Sequence, residues 1–393
     1  MIDQIASVRV RRHLDGAPIL APTARPWENG VTFNAAVTYL APIDANQELI
    51  AKLVASTVSH SAKARDGLVV VHYRARPSAD PGYLITRSYV GLALFTPDLE
   101  LIYRLPEPVV APDENKEGAD YLGVEDPRIT RAGDTFVMVY CGSGLDEVGA
   151  WRGALCTAES KDLVHWTKHG PIHLRFTKGP TNAGFDNSYF DNLGTTTGTV
   201  RHVNNKDGAI FSHAASGWHY LLHRPMTGNM SKWAIHLARS RSLRGEWKDL
   251  GPIARAKPHP DYADAWLGCG AVPLDLGDGR FLEIYHSGHR AADGSRLYTL
   301  GALLLNLNNV DPSSPEAIVE ARLDHFMIPE TRWEIEGPYA DSVGNVLFTC
   351  GAFERDGDIN ILYGGGDTFV MAAKIAKADL LAALLPVKRG VLV

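Results

Sequence analysis

Four short clusters in this 393-residue chain hold groups able to do chemistry: Glu125-Asp126-Pro127-Arg128, Asn205-Lys206-Asp207, His223-Arg224 and Tyr285-His286. In the first, two adjacent acids on a strand point to opposite faces, so only one of them faces a site. The proline confines the segment to a strand start, an edge or a bulge. The plain alternative is a surface acidic pair balanced by Arg128. Lys206, Arg224 and His286 are cations with no evident one-to-one carboxylate partners. Such a set points to an anion pocket, phosphate first; three separate salt bridges are the alternative. One acid beside a cationic patch fits transfer at an acetal centre. Inverting transfer needs an acid to protonate the leaving oxygen and a nucleophile on the opposite face. In a hydrolase that nucleophile is water activated by a second carboxylate. In a phosphorylase it is phosphate, and cations replace the base.

Other chemistries lack their signatures. The chain contains no HExxH and no CxxC pair, so no metal site is expected. It has no Gly-x-Ser-x-Gly elbow for acyl transfer. Gly364-Gly365-Gly366-Asp367-Thr368 lacks the Lys-Ser/Thr of a phosphate-binding P-loop. It reads as tight backbone packing near an axis, with Asp367 at the rim. The Asp/Asn-rich stretch Gly184–Gly194 does not match a calcium loop. No cofactor is expected, inorganic phosphate being a co-substrate.

The elements that must position these groups are repeated. Five times a glycine opens an apolar run that ends on a ring: Gly67 to Tyr73, Gly133 to Tyr140, Gly217 to His223, Gly279 to Tyr285 and Gly357 to Tyr363. The interval is six residues in four of them and seven in the other. Glycine marks a hairpin turn, and the β-branched and aromatic run after it reads as a buried strand. Arg74, Arg224 and His286 each stand just past a ring. Further strands are expected upstream, at 124–129, 205–211, 268–274 and 345–349, and downstream, at 91–98, 154–162, 235–242 and 301–306. Trp166 and Trp247, after two of the downstream turns, read as packing between sheets. Antiparallel units repeated radially form a β-propeller with a central channel. The chain is therefore expected to be all-β: a five-bladed β-propeller with a central active-site channel, one domain over 1–393. Residues 1–30 are expected to wrap the outside, 170–204 to form a lid or insert loop, and 374–385 to form a short closing helix.

Composition agrees. Forty-five per cent hydrophobic and 21% charged residues are an ordinary globular balance. A net charge of −6 gives no reason to expect nucleic acid or an anionic membrane. The first residues show no signal-peptide core, and no stretch approaches a membrane span. The four cysteines sit in or beside strand-like runs and read as buried free thiols, which makes the cytoplasm the default location.

Six motifs in order carry a resemblance: Gly123 to Ile129, Asn205 to Asp207, Leu222 to Pro225, Ile284 to His286, Glu336-Gly337 followed by Asn345 to Phe348, and Tyr363 to Thr368. Over roughly residues 30–375 the chain resembles glycoside hydrolase family 130, β-mannoside phosphorylases and some β-1,2-mannosidases on a five-bladed propeller. The resemblance implies that Asp126 is the general acid, passing its proton through the mannosyl 3-hydroxyl. It implies that Lys206, Arg224 and His286 bind phosphate, and that Asn34, Arg74 and Asp367 hold the mannosyl unit. Glu125 and Asp207, beside these motifs, are counted with the substrate-binding set. The family's mannosidases lose the basic cluster, so its retention favours an inverting β-mannoside phosphorylase giving α-mannose 1-phosphate. The partners would be carbohydrate and phosphate, with self-association common among such enzymes.

Departures leave three points open. Asn34-Ala35-Ala36 stands where the family usually has Asn-Pro-Ala, and the first unit lacks the usual Ser-x-Asp-Gly turn. A further phosphate arginine is expected ahead of Asn205, with Arg175 and Arg201 as rivals. The acceptor sugar is unread. A hydrolase on the same fold would need a second carboxylate, Glu336 or Asp341. A non-catalytic glycan-binding propeller would have Asp126 turned away from the channel.

Overall fold

A computed structural model describes residues 8–55, 63–79, 86–146, 149–176, 204–226, 230–339 and 342–393. Five antiparallel sheets follow one another along the chain. Blade one is Val31–Leu40, Leu68–Arg76, Tyr89–Phe95 and Leu101–Arg104. Blade two is Gly123–Ala132, Thr135–Leu145, Trp151–Ser160 and Thr167–Pro171. Blade three is Asn205–Ile210, His219–Pro225, Ala234–Ser240 and Trp247–Arg255, with Leu174–Arg175 added parallel to the last. Blade four is built on Asp264–Gly268, Arg280–Arg290, Arg296–Asn306 and Val319–Met327. Blade five is Leu347–Arg355, Asp358–Gly365 and Phe369–Ala376, completed by Arg11–Arg12 from the N-terminus. The protein is thus a five-bladed β-propeller, and each glycine-to-ring run is the second strand of its blade.

The core lies between blades rather than within one layer. Separate apolar clusters join blades one and two, two and three, three and four, four and five, and five and one. Trp247 is fully buried with Val137, Val139 and Leu155 of the neighbouring blade. Trp166 packs at the junction of blades one and two, edge-on to His72. Both tryptophans pack between sheets, as their positions suggested.

The recurring ring has a second use. Tyr73, Tyr140, Tyr285 and Tyr363 are buried, and each hydroxyl donates to a carboxylate: Glu28 at 2.7 Å, Asp120 at 2.8 Å, Asp324 at 2.5 Å and Glu334 at 2.7 Å. Each carboxylate also pairs with a cation: Arg104, Lys168, Arg322 and Arg12 respectively. In blade three His223 replaces the tyrosine, with Asp249 and His236 completing the set at 3.1 and 3.0 Å. Buried hydroxyls and carboxylates are costly unless paired, so these triads satisfy each blade's polar interior.

Some expectations change. Within 1–30, Arg11–Arg12 is a blade strand and Leu20 bridges to Val370, so the segment is not merely an outer wrap. The strand Thr167–Pro171 runs into 170–204, Leu174–Arg175 is a strand within it, and 177–203 lies outside the described residues. The tail forms a helix over Lys377–Ala383, then a short strand, Leu385–Pro386, on blade four. The helix Asp44–Val54, inserted in blade one, was not foreseen. All four cysteines are buried and free. Among the described residues no helix is long and apolar enough to cross a membrane.

Candidate active site

The innermost strands carry the site through one recurrent distortion. The ladder shifts register between Phe33 and Ala35, between Glu125 and Arg128, between Lys206 and Ala209, and between Thr349 and Gly351. At the first three, Asn34, Asp126 and Asp207 adopt the left-handed region, with φ of 44°, 52° and 57°. A bulge re-aims a side chain, and Asn and Asp tolerate this conformation better than most residues. The backbone feature that turns the side chain inward thus favours the residue types that do polar chemistry. The alternation rule fails here. Glu125 and Asp126 do not point to opposite faces, because both carboxylates reach Arg74, at 2.9 and 3.1 Å.

The four bulges and the end of the innermost strand of blade four spell a pattern: Asn34-Ala-Ala36, Asp126-Pro-Arg128, Asp207-Gly-Ala209, Cys269-Gly-Ala271 and Cys350-Gly-Ala352. It is a polar or small residue, then proline, glycine or alanine, one per blade. This repeat was open to sequence reading and was missed; it would have singled out Asn34, Asp126 and Asp207.

A cavity of about 170 Å³ opens at the axis. Six of the nine residues expected at the site line it: Asn34, Arg74, Asp126, Lys206, Arg224 and Asp367. The Asn34 amide donates to Asp126 Oδ1 at 2.8 Å, and Lys206 Nζ to Glu125 Oε2 at 2.7 Å. Glu125, Asp207 and His286 lie one layer behind. His286 is wholly buried, its ring 4.0 Å from that of Phe348 between centroids and its Nε2 3.3 Å from Asp207 Oδ2. Arg224 Nε lies 3.1 Å from the same oxygen. The cations therefore do have carboxylate partners, against the sequence argument: Lys206 shares Glu125 with Arg74, and Arg224 shares Asp207 with His286.

Arg128 corrects another reading. It is buried, not a surface counter-charge. Its guanidinium donates to the carbonyls of Asp126, Cys269 and Gly270, and lies 3.5 Å from Asp207 Oδ1. It ties blades two, three and four together at the axis. Arg175 pairs with Glu246 on the surface, apart from Lys206 and Arg224; its rival Arg201 lies outside the described residues. Glu336 is exposed and off the cavity wall, and Asp341 lies outside the described residues. Asp126 faces the cavity, the opposite of what a silent propeller would show. Gly364 sits where a Cβ would come 2.2 Å from Asn34 Oδ1, in keeping with tight packing near the axis.

Sequence reading also missed the aromatic part of the wall. Trp233, Trp266, Tyr298 and Phe348 line the cavity with Arg76 and Arg296. The Trp233 and Trp266 rings meet edge-on at 5.9 Å, and Arg224 lies over Trp233 at 5.3 Å. These residues come from distant loops and strands and share no spacing.

The electrostatics set the acids apart. Burial opposes ionisation of Asp126, but Arg74, Lys206 and the Asn34 amide overcome it and hold the carboxyl below its usual range. Glu125 is held down likewise by Arg74 and Lys206 against burial. Burial pushes Asp367 up to about 6 despite Arg74, with the charge of Asp126 adding to the rise. Burial also lowers His286, against the pull of Asp207. Two carboxyls on one wall thus differ in proton affinity, as acid–base work requires.

His223, His236 and Asp249 bring three ligand-type atoms within 4.8 Å. They occupy the place of the tyrosine–carboxylate–cation triads of the other blades, so their arrangement is accounted for by the repeat.

A family model described as beta-1,4-mannooligosaccharide phosphorylase, for glycoside hydrolase family 130, matches residues 56–384. The 1,2-beta-oligomannan phosphorylase of Thermoanaerobacter sp. is 28% identical over 373 residues, covering 94% of this chain and 98% of its own. The solved beta-1,2-mannobiose phosphorylase of Listeria innocua superimposes with a TM-score of 0.65 at 21% identity, over 96% of this chain and 99% of its own. A second structure has a TM-score of 0.63 at 20% identity over 95% of each chain. It comes from work reporting that these mannoside phosphorylases include hydrolases acting on beta-1,2 mannosidic linkages in Candida mannan. At such identities the superpositions speak for the fold alone, whereas the family model spans most of the chain and the site-bearing strands of blades two to five, leaving out Val31–Leu40 with Asn34. The chain belongs to glycoside hydrolase family 130.

Proposed function

We propose that the protein is an inverting β-mannoside phosphorylase, converting a β-mannoside and inorganic phosphate reversibly to α-mannose 1-phosphate and the released sugar. The observation that carries this reading is the presence of Lys206 and Arg224 in the lining of the same cavity as Asp126. A hydrolase has no use for two fixed cations beside its acid. The bond from mannosyl C1 to the glycosidic oxygen breaks and one from C1 to a phosphate oxygen forms. Asp126 supplies the proton to the leaving oxygen, and the proton that phosphate sheds restores it. Arg74 and Lys206 favour the ionised form of Asp126. A phosphate at Lys206 and Arg224 offsets the Lys206 charge, one of those that hold it so, and its proton affinity rises when the nucleophile is in place.

The names of the relatives direct attention to β-1,2 linkages. The test incubates the protein with β-1,2- and β-1,4-linked mannobiose, with and without phosphate, and measures mannose 1-phosphate and free mannose. Phosphate-dependent mannose 1-phosphate from one of them is expected. Vigorous phosphate-independent release of mannose would transfer the assignment to the hydrolase, with Asp367 as the second carboxylate on the wall.

A further inference from the structure

We propose that Asp207 is a positioning residue: without reaching the cavity, it holds Arg224 and His286 in place for the phosphate, an inference that rests on the phosphorylase reading. Asp207 is 1% exposed and absent from the cavity wall. Its bulge turns it sideways into the gap between blades three and four. Three basic groups from three blades converge on it: Arg224 Nε at 3.1 Å, His286 Nε2 at 3.3 Å and Arg128 Nη2 at 3.5 Å. Those cations hold its carboxyl ionised, far below the usual range, despite complete burial.

The contacts are ion pairs rather than aligned hydrogen bonds. Asp207 Oδ2, Arg224 Nε and both nitrogens of His286 have no aligned hydrogen-bond partner among the described residues. Buried polar atoms left so call for an explanation. A carboxylate that serves only stability would be expected to lock its partners. This one fixes the edge of Arg224 that faces away from the cavity and leaves the rest of the guanidinium, over Trp233, to meet an anion. It also favours the protonated form of His286, which burial alone disfavours. Asp207 thereby keeps the Arg224 cation, with His286 beside it, in a dry wall at a bearable cost in desolvation.

The test is Asp207→Asn, which keeps the size and the tolerance for positive φ. KM for inorganic phosphate should rise about tenfold or more while KM for the mannoside stays within about twofold. The pH at which kcat/KM for phosphate declines should move down, because His286 loses the charge that favours its proton. Equal changes in both KM values, or none, would overturn the proposal. If Asp207→Asn alone does not fold, the double variant Asp207→Asn/Arg224→Gln removes both charges and is compared with Arg224→Gln. An effect acting through Arg224 leaves the pair no worse than the single variant, whereas a further tenfold loss refutes it. The wild-type control separates the two readings: phosphate-independent turnover sinks the phosphorylase assignment, and normal phosphate dependence with an unaltered Asp207→Asn sinks only this inference.

Discussion

Gly268→Ala adds one methyl group beside Asp207 and His286, behind Arg224. Gly268 ends a strand and pairs with His286 across the ladder. A Cβ there would come 2.2 Å from Asp207 Oδ2 and 2.3 Å from His286 Nε2. Ordinary contact begins near 3.4 Å. Both atoms belong to fully buried side chains, so one or both must move by about 1 Å, a misplacement that costs about 100-fold in rate. The backbone is not the obstacle, because Gly268 lies outside the positive-φ region and alanine fits its conformation. Overpacking should lower stability by about 1–3 kcal/mol, which circular dichroism and thermal melting would register. The assay is mannose 1-phosphate formation with phosphate varied at saturating mannoside. We expect kcat/KM for phosphate to fall about 100-fold, with KM for the mannoside changed only a few-fold. A folded Gly268→Ala protein that keeps kcat/KM for phosphate within about threefold of wild type would refute the reasoning.

Four further outcomes are expected. Asp126→Asn keeps its shape between Asn34 and Arg74, so melting should change little while turnover falls about 10²–10⁴-fold; more than a tenth of wild-type activity would remove it from the acid role. Arg224→Ala should raise the phosphate requirement about ten- to a hundred-fold, at about 1.5–3 kcal/mol for a charge-assisted contact, and Arg224→Lys should restore only part of it. The alkaline limb of kcat should lie at higher pH than that of kcat/KM, since the first reports Asp126 with phosphate bound and the second the free enzyme; coincident limbs would contradict the charge argument. Burial lowers His72 to about 4 although its ring hydrogen-bonds the Leu163 carbonyl. Below pH about 6.5 the unfolded chain therefore takes up a proton that the folded one refuses. Stability should drop as pH falls towards 4, by up to about 1.4 kcal/mol per unit. Urea midpoints against pH should show a shallower slope for His72→Gln, and an identical slope would rule His72 out.

The blades were legible because their signal is local. Gly67, Gly133, Gly217, Gly279 and Gly357 each precede an apolar run that reaches a ring six or seven residues on, so turn chemistry and the buried run located the second strand of every blade. The helix Asp44–Val54 was also readable: Leu49, Ile50, Leu53 and Val54 form a stripe at helical spacing that a strand-centred reading passed over. At the site, residue types and chain order brought out Asp126, Lys206 and Arg224, but side-chain direction did not follow from alternation. A bulge at Asp126 is a property of the pairing with the next strand, and it overturned the opposite-face argument for Glu125. Trp233 and Trp266 come from separate blades, and their meeting depends on how blades three and four are rotated about the axis. No spacing along the chain encodes that angle.

Arg128 gives catalysis a dependence on topology. Its guanidinium is held by blades two, three and four, and it lies 5.9 Å from the Phe348 ring of blade five. Asn34, from blade one, meets Asp126 beside it. No blade owns the site, and no subset of blades can assemble a weaker version of it. A chain with four blades formed and the fifth loose would keep most of its strand signal and have no working centre. Turnover is then a gauge of circular closure, and should vanish earlier in a denaturant titration than far-ultraviolet circular dichroism. The two-residue strand Arg11–Arg12 is the latch on blade five. Its removal should open the gap between those two curves further, although it touches nothing at the axis.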